Sequence, residues 1–284
     1  MSFDKSDLGL PIIADERIIT ELKQKKSLIE KLQADKIIDE EILECIKEEA
    51  QYHSARIEFP IWVDYINYLS TEEKPVKKAR IRKIKNNLIA ALDYGIKHFD
   101  NRLDEDFIKT IAGKIEPNLR KEGKKLKYRN SPVRVKGSEV TPPSHYKVPL
   151  EMQKYILDMN TLLELSERGN LSPIDVAIYA HLNLTRIHPF DDGNGRTSRI
   201  VQNVILLDNG YPLPIVKEGE RVFYSELVHN ALRGWRNRNV KLETNDINEL
   251  LNVSKDEGIF FDYIASRINL SMDCIIESSK IYKE

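Results

Sequence analysis

The residues from His188 to Arg199 read His-Pro-Phe-Asp-Asp-Gly-Asn-Gly-Arg-Thr-Ser-Arg, and they hold most of the chemistry visible in this chain. An apolar-periodic helix ends near Ile187, with Pro189 just beyond it, and a second helix is predicted from about Arg196. Backbone N–H groups at a helix start lack intrahelical partners and carry positive partial charge. Gly193 and Gly195 let the backbone approach a ligand closely and tolerate positive φ. Such a turn is an anion cradle. Arg196 and Arg199 add fixed cations for phosphate oxygens, and Asp192 offers a hard oxygen ligand for magnesium. His188, at the entrance of the turn, can take up a proton near neutral pH. Anion hole, metal ligand, cationic clamp and base are the parts of a phosphoryl- or nucleotidyl-transfer site.

The elements that must position this turn are helices. Apolar residues recur at near-helical spacing over 17–50 (Ile18, Ile19, Leu22, Leu28, Ile29, Leu32, then Ile38, Ile42, Leu43, Ile46), which predicts one long helical stretch with solvated charged faces. Residues 60–69 are bulky and apolar and fit either helix or extended chain. Helix is predicted over 75–97, with Pro75 in its first turn, and from a cap at Asp104 to about Ile111. Between Tyr128 and Val140, Val133 and Val135 alternate with Arg134 and Lys136, and Gly137-Ser138 suits a turn. That pattern predicts a short β-hairpin, stopped by Pro142-Pro143. Helices are expected at 149–168, at 172–187 with Ser172 as N-cap and Pro173 behind it, at 196–208 closed by Asn209-Gly210, and within 223–280. The class is mainly α with one small hairpin.

Composition narrows the remaining options. The 284 residues have a formal net charge of -1, so bulk charge favours neither nucleic acid nor membrane as the main partner. Cys45 and Cys274 stand far apart in sequence, which suits neither a disulfide framework nor a paired metal site and fits a reducing cytoplasm. The polar opening Met1–Pro11 has no apolar leader pattern, and no run approaches the ~18 consecutive apolar residues of a membrane helix. The expectation is a cytoplasmic protein.

The segment 188–199 resembles the signature of the Fic family, His-Pro-Phe-x-(Asp/Glu)-Gly-Asn-Gly-Arg-x-x-Arg, at all nine specified positions. The likeness extends over about residues 50–230, and 128–152 looks like the family's flap hairpin with its Pro-Pro segment. The resemblance implies a Fic-type helical bundle and transfer of AMP from Mg-ATP to a hydroxyl of a target protein. In that scheme His188 is the general base and Asp192 holds magnesium on the α- and β-phosphates. Gly193, Asn194 and Gly195 form the anion hole, Arg196 binds phosphate oxygens, Arg199 binds the γ-phosphate, and Phe190 anchors the loop inward. The target protein would lie along the flap, near residues 128–143, by strand-like pairing. Family members often form homodimers. The implied layout is an N-terminal helical region at 1–75, a catalytic core at 76–235 and a C-terminal helical extension at 236–284.

Upstream, Ser54-Ala55-Arg56-Ile57-Glu58 resembles the family's inhibitory motif, (Ser/Thr)-x-x-x-Glu-(Gly/Asn), departing from it at Phe59. The resemblance implies that Glu58 pairs with Arg199, displaces the γ-phosphate and so autoinhibits transfer; in some members the same glutamate serves removal of AMP. Tyr224 fits either the family's base pocket or ordinary core packing. His181, His53 and His145 read as structural histidines, and Asn203 as a satisfied polar residue between packed helices. The basic run Lys121–Arg129 reads as solvated surface, with contact to an acidic target as its second reading. Two other functions compete with AMP transfer. One is transfer of UMP, GMP or phosphocholine; the other is a non-catalytic nucleotide-binding or interaction module.

Overall fold

A computed structural model describes residues 13–35, 37–38, 40–57, 75–119, 126–133, 140–238 and 246–281. Its helices are α1 (Glu16–Ala34), α2 (Glu40–Ile57), α3 (Pro75–His98), α4 (Glu105–Ile115), α5 (Val148–Glu167), α6 (Pro173–Ile187), α7 (Asn194–Asp208), α8 (Arg221–Asn237), α9 (Ile247–Leu251) and α10 (Lys255–Ile281). Short 3-10 turns lie at Pro117–Leu119, His145–Lys147 and Glu218–Glu220.

The helix pair α6–α7 is the centre. From Ile174 through Thr185, α6 is buried on every side, and from Arg196 to Leu206 α7 is buried as well. A helix apolar or satisfied all round belongs inside a bundle. Around the pair, α5 packs on α6, α3 and α4 pack on α7, and α2 lies over α3 and α7. The contact of α3 with α7 is close: a Cβ at Gly95 would meet Val204 Cγ2 at 2.3 Å, so this crossing requires glycine. The core runs without a break from Ile13 and Leu22 through the α6–α7 pair to Phe260, Met272 and Ile275. At its outer side α1 lies along α10, where the Asp15 N–H donates to Asp262 and Lys25 pairs with Asp273.

Local signals account for most helix ends. Asp15 accepts from the Arg17 N–H at 2.7 Å and starts α1. Asp104 accepts from the Phe107 N–H at 2.6 Å and starts α4, which runs on to Ile115 rather than stopping at Ile111. Ser172 holds the N-cap position of α6, but its hydroxyl makes no capping bond. In the first turn of α6 the Asp175 carboxylate accepts from the Ala14 N–H at 3.1 Å, tying the segment before α1 to the central helix. Asn209 and Gly210, the latter at φ +73, close α7.

Two expectations are corrected. The stretch 17–50 is not one helix: the Ile37 N–H folds back on the Leu32 carbonyl at 2.9 Å, and α2 begins afresh at Glu40. Nor is any strand present among the described residues; 128–133 and Val140, the described ends of the hairpin expected over Tyr128–Val140, have no regular structure. Residues 134–139 and the apolar stretch 60–69 lie outside the described residues. Among the described residues no helix is long and apolar enough to cross a membrane, and Cys45 and Cys274 are exposed free thiols.

Candidate active site

The turn between α6 and α7 carries the signature residues. His188 is the C-cap of α6 in left-handed backbone (φ 52, ψ 57), an unfavourable conformation for a non-glycine residue. Such strain concentrates where a side chain must be presented at one place. Its N–H donates to the Leu184 carbonyl, and its Nδ1 lies 3.3 Å from the Thr185 carbonyl. A proton on Nδ1, donated to that carbonyl, leaves the lone pair on Nε2, the tautomer a base needs.

Asn194 staples the turn. Its Oδ1 accepts from the Phe190 N–H at 2.9 Å and its Nδ2 donates to the Phe190 carbonyl at 2.8 Å, while the Phe190 ring is fully buried. The side chain of Asn194 therefore shapes the loop, and what the loop can offer an anion is backbone. Gly193 is the N-cap of α7 at φ +76, and a Cβ there would come within 3.0 Å of Glu116 Cγ. Thr197 bonds back to the Gly193 carbonyl through both its N–H and its hydroxyl, at 2.8 Å each. The amides of the turn ahead of Thr197 have no preceding helical carbonyl to pair with.

The charges sit close by. Arg196 is buried between two carboxylates: Nη1 donates to Glu116 at 2.5 Å and Nη2 to Asp192 at 3.2 Å. The Asp192 side chain is 68% exposed, and its Oδ1 also accepts from the Gly193 N–H. Among the described residues no cluster of three or more His, Cys, Asp or Glu could form a metal cage. One exposed carboxylate nevertheless suits magnesium, which keeps several waters and takes one or two carboxylates alongside substrate phosphates. Arg199, 8% exposed, donates from Nε to the Ser54 hydroxyl at 2.8 Å and from Nη2 to the Ser54 carbonyl at 3.3 Å. Thus α2 docks through Ser54 on the second arginine of the signature. Glu58 and Phe59 lie outside the described residues.

Tyr224 and Asn203 line one small cavity with Ser54, His181 and Arg199. The Tyr224 hydroxyl is 3.0 Å from His181 Nε2, and His181 Nδ1 is 2.8 Å from Gln202 Oε1. With both ring nitrogens engaged, His181 is a neutral core residue; burial, then the nearby Arg199 cation, push its pKa down to about 3. His53 is likewise structural, with Nε2 on Glu49 and Nδ1 accepting from the Glu218 N–H.

Three contributors were not legible in the sequence. Glu116, at the C-cap of α4, reaches Arg196 across the bundle. Arg56, in the last turn of α2, pairs with Glu218 at 2.6 Å. Arg129 closes the basic run expected to be solvated, yet it is 3% exposed and bonded to the backbone of the signature turn. The only signal for Arg129 is its position beside Tyr128, where apolar residues resume after the charged stretch.

A buried helix pair joined by a glycine-bearing turn, with an imidazole at one end and two buried guanidinium groups at the other, defines a helical domain built around a charged turn. The Fic/DOC family profile matches residues 102–206, and that part of the chain is a Fic/DOC-family domain. The chain is 32% identical over 154 residues to "Protein adenylyltransferase Fic" of Drosophila persimilis, covering 52% of this chain and 29% of that protein. It is 32% identical over 157 residues to the protein of the same name from Nematostella vectensis, covering 53% and 35%. The chain thus spans about a third of the length of these relatives. Among solved structures, a Fic-domain signaling protein of Bacteroides thetaiotaomicron shares the fold at TM-score 0.69 and 22% identity, over 92% of this chain and 98% of that one. Fic-1 of C. elegans aligns at TM-score 0.63 and 19% identity, over 93% and 72%.

Proposed function

We propose that this protein transfers AMP from ATP to a side-chain hydroxyl of a target protein. The observation that carries the reading is the junction of His188, held in strained backbone, with the anion-binding start of α7 and its buried Arg196 and Arg199. The hydroxyl oxygen attacks the α-phosphorus, and the bond from that phosphorus to the oxygen bridging the β-phosphate breaks. Pyrophosphate leaves, and the hydroxyl proton passes to His188 Nε2. The backbone of Gly193–Gly195 and the Arg196 guanidinium stabilise charge on the phosphates, and Arg199 orients the terminal one. Asp192 would hold magnesium, which supplies charge neutralisation on the phosphates. In this reading Tyr224, which lines the small cavity beside Arg199, borders the base. Residues 76–235 are the catalytic core in this reading, the region 1–75 carries the brake, and 236–284 is an extension. The flap segment at 128–143 holds the target.

The same site is autoinhibited. Support comes from Ser54, which already occupies the Nε of Arg199; Glu58, further on in the sequence, would complete the block. Reverse removal of AMP, with Glu58 orienting a water, belongs to the same reading.

The test is labelling of purified protein and of cell lysate with α-labelled ATP, UTP and GTP, comparing wild type, Glu58→Gly and His188→Ala. Glu58→Gly is expected to label more than wild type with ATP. His188→Ala is expected to bind Mg-ATP and label nothing. Equal labelling by wild type and His188→Ala would exclude the assigned base. Absence of label from all variants, with nucleotide still bound, would favour a binding module.

A further inference from the structure

Arg129 is the most heavily committed side chain next to the signature turn. Its Nε donates to the His188 carbonyl at 2.8 Å, and its own N–H donates to the Pro189 carbonyl at 2.9 Å. Its Nη1 donates to the Ser131 carbonyl at 3.1 Å and its Nη2 to the Pro143 carbonyl at 2.5 Å. One buried residue therefore grips four backbone carbonyls in three separate places: the residue bearing the imidazole with its neighbour, the chain entering the 131–143 excursion, and the chain leaving it.

Among the described residues each bond satisfies a carbonyl with no helix or strand partner. A guanidinium does this with fixed, planar geometry, so the three places are held at set separations. Lysine offers a single nitrogen on a flexible stem and cannot span them. Burial lowers the pKa of Arg129, and the Asp191 carboxylate in the turn partly opposes that shift.

We infer that Arg129 is a positioning residue that couples the two ends of the target-binding segment to the backbone of the base, so that target register and the placement of His188 are set by one side chain. This rests on the nucleotidyl-transfer reading for its chemical consequence, but the mechanical coupling stands apart from it. A residue that merely stabilised the fold would loosen the whole bundle when replaced. A coupler loosens the turn and both arms together and leaves the helices closed.

The experiment uses the full chain with Arg129→Lys and Arg129→Met, in wild-type and Glu58→Gly backgrounds. Amide hydrogen exchange is expected to rise jointly at 126–133, 140–144 and 188–190, with α6 and α7 protected as in the parent. With α-labelled ATP, the rate of self-labelling at saturating nucleotide is expected to fall about 100-fold in Arg129→Met, less in Arg129→Lys, because a base displaced by about an ångström loses that much. The KM for ATP is expected to stay within about threefold, since the phosphate-binding turn is unchanged. Faster exchange in one arm only, or a labelling rate within about twofold of the parent, overturns the coupling. If Arg129→Met fails to fold, the same exchange and rate readings on Arg129→Lys decide it. If the Glu58→Gly parent itself labels nothing, the transfer reading fails, and the exchange pattern still tests the coupling.

Discussion

At the residue scale, Asn194 shows how a functional signature can be structural in its side chain. It saturates the donor and acceptor of Phe190, whose backbone is buried with its ring. Asn194→Ala leaves two buried backbone groups unpaired, at about 1–3 kcal/mol each. A lowered Tm together with loss of Mg-ATP binding by calorimetry is the expected outcome. Asn194→Asp keeps an acceptor for the Phe190 N–H, so its Tm should fall between the two; a Tm equal to wild type for Asn194→Ala would mean the staple is not holding the turn. The signature itself was legible because its roles are local: glycines for backbone approach, arginines on a first helical turn, proline after a helix end. Glu116 and Arg129 were not legible, because each reaches the site through tertiary folding. In sequence both look like ordinary surface charges.

At the scale of elements, the docking of α2 is the contact that the proposed autoinhibition would use. Besides Ser54 on Arg199, it is held by the Arg56–Glu218 ion pair and by the Glu218 N–H on His53. These bonds sit at the rim, where removal loosens the helix without emptying the core. Glu218→Ala is expected to raise self-labelling about fivefold, corresponding to about 1 kcal/mol from a partly buried pair. Arg56→Ala should do the same, and the double variant should add nothing more. Labelling unchanged in both single variants would show that the pair does not hold α2 in place. The existence and period of α1 and α2 were readable from their apolar spacing, and their separation was not. The spacing stays helical on both sides of the break, and what divides them is a backbone bond from Ile37 to Leu32 that leaves no mark in composition.

For the whole molecule, His181 links stability to pH. Its folded pKa of about 3 lies below the ordinary value of 6.5, so between the two the unfolded chain binds the extra proton. The stability it contributes is complete above about pH 6.5 and is lost as pH falls toward 3, with a limiting slope of about 1.4 kcal/mol per pH unit. Wild type should therefore lose Tm on acidification through that window more steeply than His181→Gln, as read by thermal melts at matched ionic strength. Parallel curves would mean that His181 is already charged in the fold.

The pairing of α1 with α10 also has a consequence for how the chain is made. The N–H of Asp15 and the ammonium of Lys25 find their partners, Asp262 and Asp273, on a helix synthesised long after them. Until α10 has been synthesised, the apolar stripe of Ile19, Leu22 and Ile29 lacks the helix it packs along. Closure must wait for α10 to emerge, so arrested nascent chains lacking it should be captured by holdase chaperones and released once it is restored.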